Sequence, residues 1–333
     1  MKRLYRFCCL LAPLLSWLIA PAQTLFSDQT LMTLTLEAEL DKFLADRGTD
    51  PQYHQAALSY AGSDGQQHRI QVAIRARGHF RRDQFVCQFP PVRVKFPKNA
   101  PAPFAGQDKL KLVTHCQDDE TILREYYVYK TYNILTDTSF RVRLVKIIYQ
   151  DTDGTRPPEE HFGFFIESEE EMAARLGEKP VEDDVPLDAS SVHRNQLTMV
   201  HMFNYMIANR DFDVQVRQNI KVITHQGSLP IPVPYDFDWS GVVNAPYTKT
   251  NAQAQKPIYW ERRIFKPICR EEAEIEAVLT HFRTLREQIE TLYKTSPYLQ
   301  PQTKTEILKY YQDFYKVSAS RKTMLEVFLK GCR

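Results

Sequence analysis

Neither G-x-G-x-x-G nor G-x-x-x-x-G-K-[ST] occurs in the chain, so no glycine-rich loop is present to cradle phosphate as dinucleotide-binding folds and P-loops do. Charge of one sign is not in excess: 43 basic side chains stand against 41 acidic ones. Nucleic-acid binding usually leaves a clustered basic footprint, and this balance gives it no support. One local cluster exists, Arg75, Arg77, Arg81 and Arg82 in "RARGHFRR", suited to holding phosphate or equally to a solvated turn. No Cys-x-x-Cys occurs and no nearby Cys/His pair offers ligand spacing, which argues against zinc. His115, His193, His201 and His225 are scattered, without H-E-x-x-H or H-x-x-E-H spacing, which disfavours a metal-dependent hydrolase. No aromatic-plus-carboxylate block points to glycoside hydrolysis, which is defined by carboxyl separation rather than by sequence. Internal repeats and low-complexity tracts are absent.

Long apolar runs are missing beyond the first residues. The opening "MKRLYRFCCLLAPLLSWLIAPAQ" has a basic start, a short apolar run broken by Pro13, and Ala-Pro-Ala at 20–22. It predicts a secretory signal peptide over residues 1–22, cleaved after Ala22, because the run is shorter than the roughly 20 residues of a spanning helix. The mature protein is therefore expected to be exported, periplasmic or extracellular, with no integral span. Of six cysteines, Cys8 and Cys9 leave with the signal, and an even set remains: Cys87, Cys116, Cys269 and Cys332. In an exported chain this favours disulfides, and regional proximity pairs Cys87 with Cys116 and Cys269 with Cys332.

"LMTLTLEAEL" alternates apolar and polar residues, as do "HRIQVAIRARG", "PVRVKF" and "KLKLV", which predicts strands in the first third. "ETILREYYVYKTYNILTD" has helical spacing with acidic residues at its start. "FRVRLVKIIYQDTDG" and "HFGFFIES" follow as a hairpin-like pair, then a short helix ending at Gly177. Residues 178–190 are acidic and proline-bearing, an expected connection between lobes. "NQLTMVHMFNYMIAN" predicts a buried helix, and Ile275, Val278, Leu279, Phe282, Leu285, Ile289 and Leu292 mark a helical stripe before two last helices. Small sheet, helix, further strands and then a helical half is the element order of a protein kinase. The expected organisation is α+β: a β-rich N-terminal lobe over 23–177 and a mainly helical C-terminal lobe over 191–333.

Two carboxylate-bearing segments carry the chemistry. "NRDFDVQVRQNIKVI" supplies Asp211, Asp213 and Asn219, and "VPYDFDWSG" supplies Asp236 and Asp238, each beside an apolar strand-like run. Phosphoryl transfer asks for an Asp to handle the nucleophile, then an Asn and a second Asp to hold magnesium through hard oxygens. The kinase catalytic loop H-R-D-x-x-x-x-N separates its Asp and Asn by five positions; Asp211 precedes Asn219 by eight and Asp213 by six. Asp211 is preferred as the catalytic residue with Asp213 in reserve, and either Asp236 or Asp238 serves as metal ligand with Asn219. Kinases also set a strand lysine against a helix glutamate. Lys95 and Glu125 occupy such positions, with Arg93 or Lys111 as substitutes for the lysine.

The blocks "VAIRARGHFRRDQFVCQFPPVRVKF", "LREYYVYKTYNILTDTSFRVRLVKIIYQ", "HFGFFIES" and "NRDFDVQVRQNIKVI…VPYDFDWSG", over roughly residues 68–245 and in this order, resemble the CotH-type spore-coat protein kinase family, in particular its secreted members. The resemblance implies an atypical protein-kinase-like, two-lobed fold that moves phosphate from ATP, with Mg or Mn, to protein serine. It places the catalytic Asp on Asp211, the metal-binding Asn on Asn219 and the metal-binding Asp on Asp236 or Asp238. The family's "RGNSS"-like turn is matched here only by "RGHFRR". A catalytically inactive kinase-fold binding module of the cell envelope is the competing expectation, since ATP is scarce outside the cytoplasm. In either case a cleft lined by Lys95, Glu125 and Asp211 is expected, with Asp211 and Asp236 facing each other across Asn219.

Overall fold

In a computed structural model, the structure describes residues 24–62, 65–183, 187–188, 190–225, 227–249 and 262–330. The expected signal peptide lies outside them. Seven strands dominate the first half: β1 (Met32–Ala38), β2 (His54–Ala61), β3 (Gln67–Ala76), β4 (Val92–Lys95), β5 (Lys109–Val113), β6 (Val142–Asp151) and β7 (Glu159–Ile166). They close into a barrel in the order β1-β2-β3-β4-β5-β7-β6. Every neighbouring pair is antiparallel except β1 with β6, where Leu34 faces Ile147 and Leu36 faces Tyr149 in a parallel ladder. That pair closes the ring.

Alternation explains the barrel wall. Ile70, Val72, Ile74 and Ala76 of β3, Val92 and Val94 of β4, and Leu110 and Leu112 of β5 point inward to one apolar cluster with Leu34, Leu36, Val145, Ile147 and Phe165, while the intervening residues face outward. Gly163 on β7 is required by close approach: a β-carbon there would lie 2.8 Å from Ile147 Cδ1 and 2.8 Å from the Val113 carbonyl.

After the short helix α1 (Leu40–Ala45), which follows β1, the helix α2 (Asp119–Leu135) crosses the outside of the barrel. Its Asp118 cap accepts the Thr121 amide at 2.6 Å, and burial on nearly every side, from Ile122 to Tyr132, makes it the central helix of the molecule. Then come α3 (Glu169–Arg175), β8 (Lys179–Pro180), α4 (Arg194–Met206), β9 (Ile220–Thr224) and β10 (Ile231–Pro234), the three strands forming a second antiparallel sheet in the order β10-β9-β8. α5 (Glu272–Thr284), α6 (Arg286–Lys294), α7 (Pro301–Ala319) and α8 (Arg321–Phe328) complete the chain.

The two-lobed, protein-kinase-like expectation is overturned by this architecture. A closed seven-stranded mixed barrel carrying helices, a barrel-like α+β fold, replaces it. Alternation is the same in an open sheet and a barrel; closure depends on β1 meeting β6, a long-range pairing that leaves no local mark. Nor do the helices build a core of their own. One apolar cluster runs from Val113 and Phe164 of the barrel through α2 and α4 to Phe328 of α8, and buried hydroxyls tie it: Thr131 of α2 meets Tyr293 of α6 at 2.7 Å, and Tyr293 meets Tyr311 of α7 at 2.9 Å.

Cys87 and Cys116 form a disulfide, consistent with an oxidising, exported location. Cys269 is disulfide-bonded as well; Cys332, expected as its partner, lies outside the described residues. No helix among the described residues is long and apolar enough to cross a membrane.

Candidate functional site

Three cations stand in register on the outside of the barrel. Arg75 of β3 lies opposite Arg93 of β4, and Arg93 opposite Lys111 of β5. Like charges directly opposite one another weaken a sheet, so the row costs stability unless something anionic meets it. Arg77 continues the outward face of β3 into the turn that follows. Among the described residues, Arg77 and Arg93 have no hydrogen-bond or ion-pair partner for their guanidinium groups, and Lys111 has only the Tyr235 ring, 4.5 Å from Nζ. Burial lowers the Lys111 ammonium to about 8, helped by the charge of Arg77 and resisted by Asp236.

These cations line two adjoining cavities. One, of about 590 Å³, is bounded by Arg93, Lys111 and Lys221 and by Ile166 and Glu167–Glu171. The other, of about 380 Å³, shares Arg93, Lys111 and Lys221 and adds Arg75, Arg77 and Arg82, with Asp50 the one carboxylate on its wall among the described residues. Lys221 is already neutralised by Glu169 at 3.1 Å and Asp183 at 3.0 Å.

Behind the row lies a sealed carboxylate cluster. Arg81 is 7% exposed and reaches Glu125 at 3.4 Å, Asp236 at 3.1 Å and Asp238 at 3.3 Å. Burial raises the Glu125 carboxyl to about 7 against the pull of Arg81, and its Oε1 is buried without a hydrogen-bond partner among the described residues. Burial also pushes the Asp238 carboxyl well up, and the charges of Asp236 and Glu125 add to this; its Oδ2 accepts from the Tyr247 hydroxyl at 2.9 Å. Asp236 behaves oppositely: burial works against its charge, but Arg81 and Arg77 hold its carboxyl below the usual value. It is also the accessible member, 29% exposed where Asp238 is 5%.

A local backbone feature puts both aspartates on one guanidinium. Asp236 has φ +61°, a left-handed conformation that Asp and Asn tolerate better than other side chains, and its amide donates to the Tyr129 hydroxyl of α2 at 2.8 Å. The turn cancels the opposite pointing that strict strand alternation would impose. Asn219 shares the left-handed region at φ +52°. Pairing of β9 with β10 places the two together: Pro234 faces Ile220, and the Tyr235 amide donates to the Asn219 carbonyl at 3.1 Å.

Asn219 then holds Asp211. Its Nδ2 donates to Asp211 Oδ2 at 2.9 Å and to the Asp211 carbonyl at 2.7 Å, while Gln218 Nε2 donates to Oδ1. From α4, a buried amide relay supports the same residue: Asn209 Nδ2 donates to Asn204 Oδ1 at 2.8 Å, and the Asp211 amide to Asn209 Oδ1 at 3.0 Å. Burial and then the charge of Asp236 raise the Asp211 carboxyl. The two aspartates therefore sense each other, with Asn219 on Asp211.

No protein-family model matches the sequence, and no curated protein matches it.

The structure thus brings Asp211, Asn219, Asp236 and Asp238 to one region together with Arg93 and Lys111. Asp213 does other work, its Oδ1 accepting the Gln215 and Val216 amides at 2.9 and 3.2 Å to close a turn. Lys95 and Glu125 are not brought together: Lys95 is exposed on β4, 5.9 Å from the Tyr53 ring, while Glu125 is fully buried on Arg81. The residue that sequence reasoning undervalued is Arg81. Its signal was the arginine run of "RARGHFRR", which does not distinguish a solvated turn from a buried hub.

Among the described residues no group of three or more His, Cys, Asp or Glu side chains is arranged to hold a metal ion. Asp238 is unsuited as a ligand, being sealed between Arg81 and Tyr247. Both Asp211 carboxylate oxygens accept side-chain amides, from Gln218 and Asn219, and Asp236 Oδ1 is paired with Arg81.

Proposed function

We propose that the protein is a phosphotransferase that takes ATP with a divalent cation against the cationic row and passes a phosphoryl group to a protein hydroxyl. The observation that carries this reading is the in-register pair Arg93 and Lys111 with Arg77, left without ion-pair partners among the described residues next to an ionised Asp236. Such a row repels itself, and phosphate oxygens relieve it. The sequence blocks resembling CotH-type kinases add the nucleotide and the serine acceptor to this reading, independently of overall architecture.

Arg77, Arg93 and Lys111 would hold the phosphates. Asp236 and Asn219 would offer oxygens to Mg or Mn, which when bound neutralises charge developing on the phosphates. Asp211 would orient the acceptor hydroxyl and take its proton as the oxygen–phosphorus bond forms and the bond to the leaving ADP oxygen breaks. A carboxyl raised by burial and a neighbouring carboxylate suits that role.

The test is incubation of the protein with γ-labelled ATP, Mg or Mn and a generic protein acceptor. Label should pass to the acceptor; Asp236→Ala should lose metal-dependent nucleotide binding; Asp211→Ala should retain binding and lose transfer by about 10²-fold or more. Failure to bind nucleotide with either metal would overturn the proposal. One observation favours a second reading, a binding module without catalysis: Asp236 Oδ1 is already engaged by Arg81. That reading expects nucleotide binding with no transfer.

A further inference from the structure

The cations around the cleft fall into two sets. Arg77, Arg93 and Lys111 act on one another electrostatically, and Arg77 and Lys111 also feel Asp236. Arg75, Arg82 and Lys95 form a second set beside residues 49–53. Arg75 and Arg82 line the 380 Å³ cavity beside Thr49–Pro51. The Tyr53 ring gathers Arg75 at 5.1 Å and Lys95 at 5.9 Å, and Arg75 Nε is buried with no hydrogen-bond partner among the described residues. None of the three side chains has an ion-pair partner among the described residues.

A nucleotide fills a cavity of several hundred Å³; Arg77, Arg93 and Lys111 line the 380 Å³ cavity, and Arg93 and Lys111 the adjoining 590 Å³ one. With phosphates on those three, Arg75, Arg82 and Lys95 are left without an anion among the described residues. We propose that the acceptor of the phosphoryl group is an acidic polypeptide segment, its carboxylates flanking the hydroxyl held by Arg75, Arg82 and Lys95 around Tyr53. This rests on the phosphotransferase reading for the word acceptor, but the binding it describes is measurable without transfer. Guanidinium groups fork onto carboxylates in bidentate fashion, and Arg75 sits over the Tyr53 ring, a contact that leaves hydrogen-bond donors to a ligand. Basic segments are repelled by the same groups, which makes the site selective by sign of charge.

The experiment uses the full chain and three fluorescently labelled serine peptides, identical except that the serine is flanked by glutamates, alanines or lysines, with binding read by anisotropy. The glutamate peptide should bind more tightly than the alanine peptide by about tenfold, and the lysine peptide more weakly than either. Arg75→Gln with Arg82→Gln should abolish the preference. Lys95→Glu, a change at an exposed side chain, should reduce it without risk to the core. Reversal of two exposed lysines in the C-terminal helices, Lys309→Glu with Lys322→Glu, should leave the preference intact and so excludes a general charge effect. Equal binding of the three peptides, or a preference that survives the Arg75/Arg82 change, overturns the proposal. Either result is independent of whether ATP is bound or turned over, so a failure of the phosphotransferase reading shows separately, in the nucleotide assay.

Discussion

Arg81 shows how one side chain decides the character of a site. Three carboxylates surround its guanidinium within 3.1–3.4 Å, and all but Asp236 are sealed from solvent. Removing the cation leaves Glu125, Asp236 and Asp238 facing one another without compensation, and breaking a buried ion pair from one side costs about 3–5 kcal/mol. Arg81→Ala is therefore expected to lower the urea midpoint strongly, and Arg81→Lys to restore little, because one ammonium cannot span three acceptors set around a planar fork. Lys111 decides the cleft's dependence on pH. Its folded pKa of about 8 lies below the usual lysine value because of burial, so as pH rises through 8 the row loses a positive charge. The folded protein is relieved of a buried charge at the same time, so this group's contribution to stability rises between 8 and the unfolded lysine value while anion affinity falls. Affinity for an ATP analogue should drop from about pH 7 to about pH 9, whereas Lys111→Arg, which keeps its charge, should show a flat profile over that range.

The elements that deliver these side chains differ in how they are specified. β3, β4 and β5 alternate cleanly, so their outward cations and inward aliphatics are visible in the amino-acid order. The β9–β10 hairpin is less legible, since Asn219 and Asp236 meet through strand pairing and two left-handed residues; such conformations cost about 1–3 kcal/mol each and cluster at functional sites. The apolar stripe from Ile275 to Leu292 suggests one long helix, yet the chain breaks at Leu285 into α5 and α6, because packing against α2 and α7 takes priority over an uninterrupted period. On β7, Gly163 is where sheet and neighbour approach most closely. Gly163→Ala would press a methyl group onto Ile147 and the Val113 carbonyl, and overpacking of this kind costs about 1–3 kcal/mol. A thermal melt should shift downward accordingly, with little change in nucleotide affinity.

At the scale of the whole molecule, the disulfide Cys87–Cys116 joins the turn carrying Arg81 to the segment leading into α2, across a separation of 29 residues. Hydrogen bonds reinforce the junction, with the Gln88 amide donating to the Cys116 carbonyl at 3.0 Å. Replacing both cysteines by serine should cost about 2–4 kcal/mol, chiefly by releasing the unfolded chain, and should be read from the urea midpoint. Because the closed barrel and the helices share α2 and one continuous apolar cluster, unfolding should follow a single transition by both tryptophan fluorescence and far-ultraviolet circular dichroism.

Amino-acid order alone determined most strands and helices, the pairing of Cys87 with Cys116, and the residue types of the site, since a two- or four-residue period and regional proximity are properties of near neighbours. Asp211, Asn219 and Asp236 were recognisable in the same way, as hard oxygen donors beside apolar runs. Tertiary structure decided the rest. The parallel meeting of β1 with β6 closed a barrel where an open, two-lobed arrangement had been expected, because strand alternation is identical in both. It alone chose Arg81 over Lys95 as the partner of Glu125, since that choice depends on which turn folds over α2. It also aligned Arg75, Arg93 and Lys111, cations from three separate strands, into a row whose repulsion exists only once the register between those strands is set.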